Sequence, residues 1–178
     1  MRNVGVYYYE KQREKWLTWL VMTVLNLLFI IGCIVQIGFG RPVGQNPMSD
    51  VGLIITAAAM FLISSLILSG NLRTYINNEG VFFRYSPYHF RYQFYAWNNI
   101  SRIYVRHYHP IREYGGRGMR MSRWHFTGKT VHFNRSIAYT IGGKTGLQIE
   151  LKNGKKILIG TQQPDELNRV LIKLGKTS

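Results

Sequence analysis

The chain has 178 residues and carries 23 Lys and Arg against 8 Asp and Glu, a net charge of +15. That length suits one core domain with appendages. Charge on this scale bears on partners (anionic lipid, nucleic acid or an acidic protein) rather than on fold. A single cysteine, Cys33, excludes an intramolecular disulfide and any multi-cysteine metal site.

Residues 1–16 hold Arg2, Lys11, Arg13 and Lys15, with Tyr7-Tyr8-Tyr9 and Trp16 among them. Aromatic and basic residues collect at membrane–water boundaries. The segment is therefore expected as a cytoplasmic interfacial lead-in, an amphipathic helix lying on the inner leaflet. Leu17–Phe39 follows, without a charge over 23 residues. At about 1.5 Å per residue it spans roughly 30 Å of hydrocarbon. A signal peptide has a shorter apolar stretch and no second span after it. Cys33 lies inside this run and reads as buried apolar filler. Residues 40–50 form a Pro/Gly-containing loop whose one basic residue is Arg41. The second uncharged run, Val51–Ser69, has 19 residues. Its small residues, among them Gly52, Ala57, Ala58, Ala59, Ser64 and Ser65, allow a second backbone to approach closely.

The expectation is a transmembrane hairpin with helices at 17–39 and 51–70. Asn26 and Gln36 are placed to hydrogen-bond across it or to a partner helix. Neither run contains an ionisable residue, so a proton or ion pathway finds no support. Basic residues flank the outer ends of both runs and nearly avoid the loop between them, which places both termini in the cytoplasm.

Residues 71–178 carry 18 Lys and Arg against 5 Asp and Glu, a net charge of +13. Their pattern is mainly period-two. "LRTYIN" and "VFFRY" read as strands joined by an Asn/Gly turn, and "RYQFYAW", "ISRIYVRHY" and "IAYTIG" as further strands. In "GLQIELKNGKKILIGT", Leu147, Ile149 and Leu151 alternate with Gln148, Glu150 and Lys152. Asn153-Gly154 is expected to form a type I′ turn, after which Ile157 and Ile159 resume the apolar face. Pro164, Asp165 and Glu166 suit a first helical turn. Leu167, Val170, Leu171 and Leu174 mark one face of that helix, and Gly175 ends it. The soluble half is thus about seven strands in a bent antiparallel sheet, capped by a C-terminal helix.

On "YINNEGVFFRY", "WNNISRIYV", "EYGGRGMR" and "GLQIELKNGKKILIGTQQPDELNRVL", together with the hairpin, the chain resembles small bacterial membrane proteins that join a transmembrane hairpin to a cytoplasmic pleckstrin-homology (PH)-like domain. The resemblance implies a bacterial inner-membrane location, a role in binding or membrane-complex scaffolding, and no catalytic residues. Classical PH domains bind phosphoinositides through basic residues of the first hairpin. Here that turn is "NNEG", which lacks the basic cluster, so that mode is not expected.

Candidate chemistry is sparse. His107 and His109 share a strand face at a spacing that imidazole ligands can use, but no thiolate or carboxylate nearby completes a metal sphere. His125 and His132 could face each other across a turn, with the same objection. Glu113, flanked by arginines, reads as an ion-paired structural carboxylate. The glycines of "YGGRGMR" fit neither the P-loop nor the dinucleotide spacing, leaving a generic anion nest or a flexible bend. No enzyme, cofactor or metal is expected.

The remaining signal is basic. Arg102, Tyr104, Arg106 and Tyr108 are expected on the outer face of one strand, with Ile103 and Val105 inward. Arg84 and Arg91 join from neighbouring strands, and Arg112, Arg117, Arg120 and Arg123 extend the surface into the glycine loop. The expected function is a membrane-anchored, non-enzymatic module whose basic face meets anionic lipid or an acidic protein. The alternative is an accessory subunit of a membrane complex, assembled through the hairpin. Arg–aromatic interleaving also suits single-stranded nucleic acid, which ranks lower for a tethered protein.

Overall fold

The structure is a computed structural model and describes residues 5–121, 125–127, 130–132 and 136–176. The chain forms two compact units, Glu14–Gly70 and a second that joins Met1–Arg13 to Asn71–Ser178.

The first unit is a helical hairpin. Helix α1, Trp16–Cys33, continues through a π-helical turn at Ile34–Gly38. Helix α2 is Asp50–Leu68, and its N-cap Ser49 accepts a hydrogen bond from the Gly52 amide at 3.2 Å. Asp50 in the first turn complements the helix dipole. Both helices are long and apolar enough to cross a bilayer, and of their residues only Leu53 and Ser64 are buried. A helix from a soluble core would bury that surface. The expected polar contacts form. Asn26 Nδ2 donates to Ser64 Oγ at 2.8 Å, and Gln36 Nε2 donates to the Met48 carbonyl and Asp50 Oδ1 at 2.7 and 2.8 Å.

The second unit is mainly β. Its first strand, β1 (Val6–Arg13), replaces the expected interfacial helix, so the lead-in belongs to the β unit rather than standing apart. It pairs antiparallel with β2 (Asn71–Asn77), which pairs with β3 (Gly80–Ser86), which pairs with β4 (Gln93–Ala96). A second sheet contains β5 (Ile100–His107), β6 (Gly118–Met121), β9 (Ser136–Thr140), β10 (Thr145–Leu151) and β11 (Lys156–Gly160), in the order β5-β10-β11-β9-β6. Strands β7 (His125–Thr127) and β8 (Thr130–His132) form a separate pair. There are thus eleven strands among the described residues, not about seven, and β9 runs parallel to β11, so the sheet is not wholly antiparallel.

The core lies between the sheets. Leu72, Ile76, Val81 and Phe83 from the first meet Ile103, Leu147, Ile149, Ile157 and Ile159 from the second. The C-terminal helix α4 (Pro164–Lys173) adds Leu167 and Leu171, with Val170 and Leu174 packed against the same cluster. This helix and the β10–β11 hairpin follow the sequence pattern closely. The hairpin turn does not. Gly154 has φ +80°, but no described non-glycine residue has positive φ, so Asn153 does not enter a type I′ turn. A three-residue loop forms instead, with the Gly154 amide donating to the Leu151 carbonyl at 2.9 Å and Asn153 Oδ1 accepting from the Lys155 amide at 3.1 Å.

The outer side of β10 and β11 is also covered. Helix α3, Pro110–Tyr114, brings Tyr114 onto it, and a second cluster of Tyr108, Tyr114, Ala138 and Leu158 forms there. Gln148 and Tyr108, both expected to face solvent, are buried.

Candidate functional site

The eight candidate arginines do not share one face. Arg84 lies on β3 and Arg91 in the β3–β4 connection, both in the four-stranded part of the β unit. Arg102 and Arg106 lie on β5, Arg112 on α3, and Arg117 and Arg120 around β6. Arg123 lies outside the described residues, as do the side chains of His125 and His132.

Arg106 is engaged within the fold. Its Nη2 pairs with Glu113 Oε2 at 2.8 Å and its Nε donates to Gln148 Oε1 at 3.0 Å. The Tyr114 hydroxyl, 3.3 Å from Nη2, connects in turn to Ser136 Oγ at 3.1 Å. Glu113 also accepts from the His109 amide at 2.8 Å. Burial raises the Glu113 carboxyl, but the hydrogen bonds from Arg106 and the His109 amide outweigh it and hold the group below its ordinary value. Glu113 is therefore the ion-paired carboxylate that its arginine neighbours suggested, and it ties α3 to β5. Arg102 stands opposite Glu150 in the β5–β10 register, and Glu150 pairs with Lys156 at 3.0 Å. On this sheet much of the basic charge is answered locally.

The glycine loop is a helix exit. Gly115 has φ +73° and caps α3 in the left-handed conformation. Its amide donates to the Ile111 carbonyl at 3.0 Å, and the Gly116 amide donates to the Pro110 carbonyl at 2.9 Å. Two of the amides that an anion nest would use are thus taken by the helix end. Gly116 and Gly118 also have positive φ, which accounts for the glycines by backbone geometry. Arg112, Arg117 and Arg120 remain exposed around this loop, with Arg120 Nε donating to the Arg117 carbonyl at 3.3 Å. His107 Nδ1 lies 3.2 Å from Thr145 Oγ1, and His109 is exposed.

A basic surface of which the sequence reading named only Arg84 covers the outer face of the four-stranded sheet. In the register, Lys11 pairs with Arg73 and Arg73 with Arg84, which makes one cationic row across three strands. Arg13 extends it at the end of β1. The next row is aromatic: Tyr9 pairs with Tyr75, Tyr75 with Phe82, and Phe82 with Phe94. Tyr75 and Phe82 stack at 4.5 Å, Phe82 and Phe94 at 4.2 Å, and the Arg84 guanidinium lies over Tyr92 at 5.7 Å. Arg13 is the main cause, ahead of burial and Arg73, that holds the Lys11 ammonium below its ordinary value.

In the helical unit, a groove of about 510 Å³ between the helices is lined by Trp19, Met22, Asn26, Phe61 and Ser64, among others. The chain matches no protein-family model and no curated protein.

Proposed function

We propose that the protein is a non-enzymatic, membrane-anchored binding or scaffolding module. The hairpin crosses a bacterial inner membrane, and a PH-like β domain on the cytoplasmic side engages anionic lipid headgroups. One observation carries this reading: a β unit with 18 Lys and Arg against 5 Asp and Glu in residues 71–178 shares its chain with two uncovered apolar helices. Each basic residue close to an anionic leaflet is drawn to it by about 1 kcal/mol. Two sheets closed by a C-terminal helix support the PH-like assignment; the parallel β9–β11 pair is a departure from it.

The test uses the full chain in nanodiscs of phosphatidylcholine with and without phosphatidylglycerol. Amide hydrogen exchange on the β unit should slow in the anionic discs, and added salt should reverse the effect. Identical exchange in both discs would sink the proposal.

A second reading, an accessory subunit assembled through the hairpin, is favoured by the groove between the helices and its Asn26–Ser64 pair. Purification in mild detergent from native expression should then retain a stoichiometric membrane partner. A clean monomer counts against it.

A further inference from the structure

We infer that the outer face of the four-stranded sheet, and not the arginines of β5 and the glycine loop, is the surface that rests on an anionic bilayer. The inference depends on the lipid-binding function proposed above and names the surface that performs it.

Strand alternation sends Tyr8, Glu10 and Gln12 inward and Tyr9, Lys11 and Arg13 outward. The outward positions of β2 and β3 add Arg73, Tyr75, Phe82 and Arg84. None of these outward residues is acidic, and Glu79 sits in the β2–β3 turn, at the end of the sheet away from Arg13. Like charges directly opposite in a sheet destabilise it, so the Lys11–Arg73–Arg84 row lacks a counter-charge of its own. Phosphodiester oxygens supply that counter-charge.

The rings decide which anion. Bases of single-stranded nucleic acid stack on open aromatic faces. Here Phe82 lies stacked between Tyr75 and Phe94, with interplanar angles of 7° and 25°, and Tyr92 meets Tyr75 edge-on at 5.3 Å, so both faces of the central ring are occupied. Tyr9 and Phe94 are 54% and 47% exposed. Aromatic side chains with a polar tip or an exposed edge partition to the headgroup level of a bilayer. Alternate positions along a strand are about 7 Å apart, so the cationic and aromatic rows contact the interface together. The links Glu14-Lys15 and Ser69-Gly70 join the first two strands of this sheet directly to the apolar helices.

The experiment places a bimane probe at Ser86→Cys on this face, or at Arg112→Cys on α3, each with Cys33→Ala. The full chain is reconstituted in phosphatidylcholine nanodiscs with or without roughly one-third phosphatidylglycerol, together with a lipid bearing a nitroxide headgroup. In the anionic discs, quenching at position 86 should exceed that at position 112 by at least about twofold and fall as salt rises. The variant Lys11→Gln/Arg73→Gln/Arg84→Gln should bring it to the neutral-disc level. If that variant does not fold, the salt titration of the unsubstituted face carries the test. Quenching at 112 alone, or equally at both positions, overturns this inference and leaves lipid binding intact. Quenching at neither position overturns both. An unquenched position 86 in a protein that binds single-stranded oligo-dT through the same three basic residues reassigns the face to nucleic acid.

Discussion

A methyl group on Gly80 would sit 2.1 Å from the Tyr95 carbonyl oxygen, where β3 and β4 come together. Backbone cannot retreat from that contact as a flexible side chain can. Gly80→Ala should therefore destabilise the β unit by about 3 kcal/mol, visible as a lowered unfolding midpoint; an unchanged midpoint would refute the packing argument. His89 is a second sensitive residue. It is half-buried, with ring contacts to Phe83 at 5.7 Å and Tyr139 at 5.1 Å, and burial holds its imidazole below the ordinary value of 6.5. Above that pH neither the folded nor the unfolded chain binds the proton. As pH falls below it, the unfolded chain protonates first, so stability declines until the folded pKa is passed. Thermal melts between pH 7 and pH 5 should show this decline, and His89→Phe should flatten it. An equal slope in the variant would exclude His89 as the source. At this scale Glu113 was legible, because a carboxylate among arginines has an evident partner. Arg106 was not, because its other partners, Gln148 and Tyr114, come from elements distant in sequence.

Among the elements, β1 is the most instructive. Glu10 is 6% exposed, and its carboxyl oxygens accept from the Tyr8 hydroxyl, from Thr161 Oγ1 at 2.8 Å and from the Gln162 amide at 2.7 Å. Gln12 Nε2 donates to the Gly160 carbonyl at 2.7 Å. These bonds fasten β1 to the junction of β11 and α4. Glu10→Ala removes the carboxylate that three donors share and should cost roughly 3 kcal/mol, read by denaturant unfolding; a loss no larger than that of an exposed control substitution would overturn this. A fragment of residues 71–178 lacks β1 and should fail to show a cooperative transition, whereas one that melts like the intact β unit would show the strand to be dispensable. The strand escaped the sequence reading for a physical reason. Its inner positions are Tyr8, Glu10 and Gln12 and its outer ones Tyr9, Lys11 and Arg13, so no apolar alternation exists to detect. The β10–β11 hairpin and α4 were legible because their apolar positions repeat at periods of 2 and 3.6. The cover over the outer side of β10 was hidden, since it comes from a helix of five residues.

For the whole molecule, the β1–β2 pairing constrains topology. Residues before the first apolar helix and after the second share one sheet, so they lie on the same side of any bilayer. Two crossings satisfy this and one does not. In a Cys33→Ala background, Gln45→Cys between the helices should react with an impermeant maleimide in intact cells. Lys152→Cys in the β10–β11 turn should react only after the membrane is opened. Labelling of both from the same side would show that the helices do not cross.

The same pairing has a consequence in time. β1 leaves the ribosome well before β2, with both helices synthesised between them. At about 5–20 residues per second, the strand waits on the order of several seconds for its neighbour. A lone strand with an apolar side would be open to pairing with other chains throughout that interval. Glu10 and Gln12 instead give the waiting strand hydrated side chains. The polar interior that obscures β1 in the sequence thus also keeps the strand hydrated until its partner arrives.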